Sequence, residues 1–256
     1  MKLNAYHLKW IAIVGMIMNH AVFALWEVLP VGLAAVLYAA GGLTFPILAY
    51  FVVEGYKHTS SLKKYILRLF IFAVIAMPFH MLVLRQFGLN IMFTIILSIV
   101  ILILHDKMKI RPLFWLIFVL LLIVSAVSAM DWAIIGPIIV LMYHRMKNET
   151  ARRMVPGIVA GVTMLCMILF GMWGVSQMTP ETLEYMNPLM SDMNYWIVSA
   201  TFIVGCVAAA LLLKGYNDER GKRMKWTFYV IYPAHFAVLA ATGIALRTLS
   251  LSVFGI

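Results

Sequence analysis

Lys9 and His20 stand eleven positions apart in an apolar run covering 8–28, and Asn19 precedes the histidine. Eleven helical steps leave about 20° of net rotation and about 16 Å of rise, so both side chains project from one helix face. A cation at the start of the run can hold an anionic group while an imidazole deep within it takes a proton. A second imidazole, His235, follows Tyr232-Pro233-Ala234 in another apolar run, 226–247, about 13 Å from that run's start. Pro233 frees the carbonyl of Tyr229 and should kink the helix, which is tolerated where it faces protein or a wet cavity. Ionisable groups at membrane depth are costly and mark pathways or reaction sites. Two imidazoles at comparable depth are therefore expected to share one buried site. The competing reading bonds each of them to a neighbouring helix.

A third set lies in the run 32–56. Gly41-Gly42 and Pro46 are expected to break or bend it, and Tyr50 and Glu54, four apart, share a face. Glu54 also stands close to Lys57, so an ordinary ion pair competes with any role at a site. Lys57, Lys63, Lys64 and Arg68 surround the connection to the next run. They form either an ordinary basic loop or a cradle for a polyphosphate. His80 is expected at an interface, and His7, His58, His105 and His144 at solvated ends of the apolar runs. Cys166 and Cys206 lie inside apolar runs and suggest neither a disulfide framework nor a metal site, and no metal is expected. The 19 Met residues fill packing positions.

Positioning such groups requires a membrane. The chain is 64% hydrophobic and 12% charged, against about 25% charged in a soluble domain. The remaining apolar runs are 65–84, 89–104, 112–129, 131–143, 155–173 and 194–213. All of the 20 Lys and Arg except Arg85 and Arg247 fall at alternate connections between runs. Cytoplasmic loops retain Lys and Arg, which predicts about nine spans with the N-terminus cytoplasmic and the C-terminus outside. The runs at 89–104 and 131–143 are short, and Gly136-Pro137 interrupts the second. Both are nevertheless expected to cross, because otherwise the basic segment 144–153 would lie outside. The fold class expected is all-α, a polytopic transmembrane helix bundle forming a single domain over 1–256. The stretch 174–193, with Pro180, Glu181, Glu184 and Asn187-Pro188, is expected as an irregular or partly helical cap outside. No cleavable signal peptide is expected, because the first run is about 20 residues long. The net charge of +10 follows the membrane pattern and points to an anionic leaflet rather than to nucleic acid.

Certain residues form a recognisable pattern. They are Lys9-Trp10-Ile11-Ala12 with Met16 and Asn19-His20, then Phe45-Pro46 through Val53-Glu54-Gly55-Tyr56. Thr59, Lys64-Tyr65, Arg68-Leu69 and Tyr232-Pro233-Ala234-His235 complete it. On these residues the chain resembles the TraX family, the pilin N-acetyltransferase-like branch of the multi-spanning membrane acyltransferases. The resemblance is strongest over 9–80 and 226–240. The wider group carries Arg or Lys, ten intervening residues and then His in its first span, a spacing that Lys9 and His20 match. Asn19 departs from the Asp that the family commonly places before this His. A carboxylate there could orient the imidazole and stabilise its cation; Asn can only orient it.

The resemblance implies an acyl-CoA-dependent O- or N-acetyltransferase of the cytoplasmic (inner) membrane. Acetyl-CoA is the donor, and the acceptor is an external peptide, glycan or lipid. Lys9, Lys57, Lys63, Lys64 and Arg68 would bind the CoA phosphates. His20 would be the general base, oriented by Asn19. His235, Tyr232, Tyr50 and Glu54 would orient the acceptor or stabilise the oxyanion. Broken helices and buried His also suit a proton-coupled secondary transporter, although the runs carrying the two breaks show no convincing internal repeat. A non-catalytic membrane scaffold is the third reading.

Overall fold

The computed structural model describes residues 3–179, 181, 182, 188–224 and 226–254. Lys2, Lys225, Pro180, Glu184 and Asn187 therefore lie outside the described residues, and with them part of the expected outer cap. Every apolar run becomes helical. In chain order the helices are α1 (Ala5–Leu25), α2 (Val31–Gly41), α3 (Thr44–His58), α4 (Leu62–Leu84), α5 (Ile91–Lys107), α6 (Arg111–Val127), α7 (Ile135–Arg145), α8 (Glu149–Ser176), α9 (Met193–Lys214) and α10 (Thr227–Phe254). A 3₁₀ turn, Pro188–Ser191, precedes α9. The described residues contain no strand beyond an isolated bridge, Leu3 to Tyr216.

Local chemistry sets the ends. Asn4, Ser61, Asn90 and Asp192 each accept a backbone N–H at the start of α1, α4, α5 and α9, filling donors that a helix leaves orphaned. Gly136 and Pro137 fall in the first turn of α7, where a missing N–H costs nothing. They start that helix rather than interrupt it. The expected break after Gly41 is present: α2 ends there and α3 resumes at Thr44.

Among the described residues, six helical stretches are long and apolar enough to cross a membrane: 5–25, 31–58, 62–84, 149–176, 193–214 and 227–248. The remaining three are shorter, α5 and α6 at 17 residues and α7 at 11. The large apolar side chains of α6 face outward at helical spacing: Leu113, Leu116, Val119, Leu120, Ile123 and Val124 are all exposed. Such a stripe is at home against acyl chains. An all-helical membrane protein is the fold.

The chain divides into two compact units, one of residues 1–47 and 153–219 and the other of 48–152 and 220–256. In the first, α1 packs on α2, and α2 packs on α9. Val22, Ala34 and Val198 are buried together, with Trp26, Leu37 and Tyr38 against them. Gly42 and Gly205 bring two backbones into contact, because a Cβ on either would strike the opposite chain, at Phe202 and Ala39 respectively. Close approach through small residues is a principal source of attraction between helices in lipid. Gly205→Ala is accordingly expected to cost about 1–3 kcal/mol. Thermal unfolding in detergent measures it against Gly32→Ala, whose Cβ would meet nothing within 4 Å.

In the second unit α4 packs along α10, and α5 contacts α4, α6 and α7. The segment between α6 and α7 is held tightly there. Asp131 donates its N–H to Leu89 O at 2.8 Å, and its carbonyl accepts from Thr94 Oγ1. Ser125 Oγ binds Ala133 O at 2.6 Å. Ala129 (φ 45°) and Trp132 (φ 57°) both adopt left-handed backbone, a strained state for side-chain-bearing residues that the surrounding bonds enforce.

Candidate active site

The first unit carries Lys9, Asn19 and His20 on α1. His20 is buried, and Lys9, eleven residues earlier, is partly exposed. Asn19 lies against α2: a Cβ on Gly41 would sit 2.6 Å from its Oδ1. That oxygen is buried with no hydrogen-bond partner. The arrangement fixes the side chain by packing and leaves an acceptor unused, where the family's usual Asp would place a charge. Thr44 Oγ1 donates to Ala12 O at 3.2 Å, tying α1 to the start of α3.

The second unit holds a buried polar cluster that the sequence did not reveal. His80 on α4, expected at an interface, is fully buried, and its Nε2 lies 2.9 Å from Asp131 Oδ2. An ionised carboxylate only accepts, so Nε2 carries a proton, and in the neutral ring Nδ1 is then the lone pair. Nδ1 is buried and meets no partner. Tyr232 and His235, both buried, extend from α10 beside it. The Phe236 ring is shared among all three, with centroids 5.2 Å from His80, 5.4 Å from Tyr232 and 4.2 Å from His235. His235 Nδ1 lies 3.1 Å from Ile231 O, one turn back in its own helix. The Tyr232 hydroxyl is buried beside the Ile91 backbone and within electrostatic reach of Asp131. A carboxylate–imidazole pair, a second imidazole and a phenol are thus gathered around the Phe236 ring.

Tyr50 and Glu54 are brought together, though through a third residue. Arg152, read from sequence as one more loop cation, is buried at 8% exposure. Its guanidinium donates to Tyr50 Oη at 2.7 Å and to Glu54 Oε1 at 2.9 Å, and pairs with Glu149 at 3.3 Å. Glu54 also pairs with Lys57, at 3.8 Å, as the simpler reading expected. Lys63 and Lys64 are exposed on the first turn of α4, and Arg68 lies one turn later over the Tyr229 ring at 5.8 Å. The basic cluster is therefore present as a surface, with its two lysines turned outward.

These features define a polytopic membrane protein with polar chemistry buried inside its helices. Residues 5–242 match the family model described as TraX protein, and the chain belongs to the TraX family. A relative at 25% identity is named "Probable fimbrial assembly protein FimC, serogroup H1", from Dichelobacter nodosus; the match covers 95% of this chain and 97% of that protein. No solved structure matches.

Loss of the Asp131 charge tests the buried pair. Asp131→Asn removes the group that faces His80 Nε2, and any activity of this site is expected to fall about tenfold or more. Turnover should drop with KM unchanged, and Asp131→Glu should recover part of it. Unchanged turnover with a lowered thermal midpoint would assign the pair to packing.

Proposed function

We propose that this protein is a membrane-embedded acetyltransferase, moving acetyl from cytoplasmic acetyl-CoA to an amine or hydroxyl of an envelope or secreted acceptor. The observation that carries the reading is the buried His80–Asp131 pair beside Tyr232 and His235, in a chain of the TraX family. A scaffold has no need of such a cluster, which is costly to bury. About nine crossings, an N-terminus inside and residence in the cytoplasmic membrane belong to this proposal. They would put Lys9, Lys57, Lys63, Lys64 and Arg68 at the cytoplasmic face, where CoA phosphates arrive. The relative named for fimbrial assembly favours a pilin-like N-terminus as the acceptor, with glycan and lipid as the other classes.

The chemistry balances with the residues in hand. The acceptor's lone pair attacks the thioester carbonyl, and an imidazole takes the proton released from the attacking atom, the role that the family resemblance gives to His20. Tyr232 supplies a hydrogen bond to the oxyanion of the tetrahedral intermediate, and His235, whose Nδ1–H is held by Ile231 O, offers Nε2 as an acceptor to orient the attacking group. Collapse breaks the carbon–sulfur bond, and the CoA thiolate leaves with a proton from the imidazolium. An α-amine, with an ordinary pKa of about 7.7–8.0, arrives largely as an ammonium and must shed one proton before it can attack. The lone pair of His80 is suited to accept that first proton.

The test is transfer by purified protein in nanodiscs, with labelled acetyl-CoA, following free CoA thiol and acetylated envelope material by mass spectrometry. Thiol release that depends on envelope acceptor supports the reading. Acetyl-CoA that neither binds nor turns over, together with counterflow of a solute without it, would replace the reading with a transporter.

A further inference from the structure

Three helices of the second unit end in one place. Tyr56 stands in the last turn of α3, His105 and Asp106 in the last turn of α5, and His144 in the last turn of α7. The histidines were expected to be solvated, yet their side chains are only 18% and 13% exposed. Both turn a nitrogen on the same carboxylate oxygen: His105 Nδ1 is 3.0 Å and His144 Nε2 2.8 Å from Asp106 Oδ1. Tyr56 donates its hydroxyl to Oδ2 at 2.8 Å. The two imidazole planes are perpendicular, with centroids 5.4 Å apart, and Phe114 packs edge-on against His105.

We propose that His105, Asp106 and His144 form a site for a divalent transition metal of the zinc type, with Tyr56 or water completing its coordination. One ligating atom from each of the three residues already lies within 4.8 Å of the others. A tetrahedral zinc with bonds of about 2.0–2.1 Å spaces its ligands about 3.3 Å apart, so the two N···O contacts need open by a few tenths of an ångström and the two imidazole nitrogens, within 4.8 Å of each other, need close by no more than about 1.5 Å. Two imidazoles and one carboxylate suit zinc, iron or nickel, whereas magnesium and calcium prefer oxygen throughout.

The surroundings favour a cation. Three helix C-termini converge, and each carries about half a negative charge. Burial would raise the Asp106 carboxyl, but hydrogen bonds from His105, His144 and Tyr56 outweigh it and hold the group below its ordinary value. The nearby guanidinium groups are engaged elsewhere: Arg111 donates to the His105 carbonyl, and Arg145 lies over the Trp115 ring. On binding, the metal replaces the two N–H···O bonds, and each imidazole carries its proton on the nitrogen facing away. The ion then clips the last turns of α5 and α7 together. The inference stands on this geometry alone and does not depend on the transfer reaction.

The test uses tag-free full-length protein, stripped with chelator in detergent and titrated with Co²⁺. One equivalent should bind with visible absorption bands of a low-symmetry site, and Zn²⁺ should displace it. Binding should also raise the thermal midpoint, as any ligand of the folded state does. Asp106→Asn, nearly isosteric, and His144→Ala should each weaken affinity by more than about tenfold. His58→Ala, a highly exposed imidazole outside the cluster, should leave the stoichiometry intact. Absence of Co²⁺ bands in the unsubstituted protein, or equal binding in both cluster variants, would reduce the group to a hydrogen-bonded knot.

Discussion

Replacing His20 with Ala is expected to lower the proposed acetyl transfer by about 10²–10⁴-fold, the usual worth of a positioned general acid–base group. The side chain is buried on a helix whose neighbours are fixed by independent contacts: Thr44 to Ala12, and Asn19 against Gly41. Removing one imidazole therefore leaves the packing of α1 on α2 largely intact. Membrane insertion and the thermal midpoint should hold close to those of the parent, and acetyl-CoA binding should be retained. Full transfer in the variant would dismiss His20 as the base and leave His80 to carry that role. Asn19→Asp is the informative companion. It restores the carboxylate that the family commonly has before this histidine, and a gain in turnover would show that Asn19 merely orients the ring.

The second large effect is structural. Arg152→Ala should destabilise the protein by about 2–3 kcal/mol, at or below the lower end of the range for breaking a buried ion pair from one side. The discount reflects its partners: the side chain of Glu54 is 27% exposed and that of Glu149 50%, so both can rehydrate in part. The Tyr50 hydroxyl, which Arg152 holds at 2.7 Å, would also lose its donor. Arg152→Lys should recover less than half of the loss, because an ammonium cannot reach a phenol and two carboxylates with one planar fork. Chemical unfolding in detergent measures all three proteins. An unchanged midpoint for Arg152→Ala would mean that the network forms no part of the stable core.

Much of the architecture was legible because lipid imposes a simple rule. Apolar runs of sufficient length must become helices, and each expected run did so, including the break at Gly41-Gly42. Partnership across helices was not legible. His80 looked interfacial because it follows Pro78-Phe79 near the end of its run; its partner, Asp131, is 51 positions away on a strained connection. Arg152 was counted as a loop cation, yet it stands in the first turn of α8, and charge counting does not reveal what a residue binds. His105 and His144 were set aside for the same reason: their runs end where they stand, and nothing in either run points to the other. The family's motif residues, His20, Tyr232 and His235 among them, were found because their order along the chain carries a pattern. Pairs with no local signature need coordinates.

The unit formed by residues 1–47 and 153–219 has a consequence for biosynthesis. Its two stretches are separated by 105 residues of the other unit, so the ribosome delivers α9 long after α1 and α2. At about 5–20 residues per second the early helices wait about 8–30 s for Gly205 of their partner. Through that interval the flank of α2 that will meet Gly205, and the Ala35 carbonyl that will accept from Thr201, stand open to lipid or to an insertase. The nascent chain thus has a vulnerable period that the finished protein no longer displays.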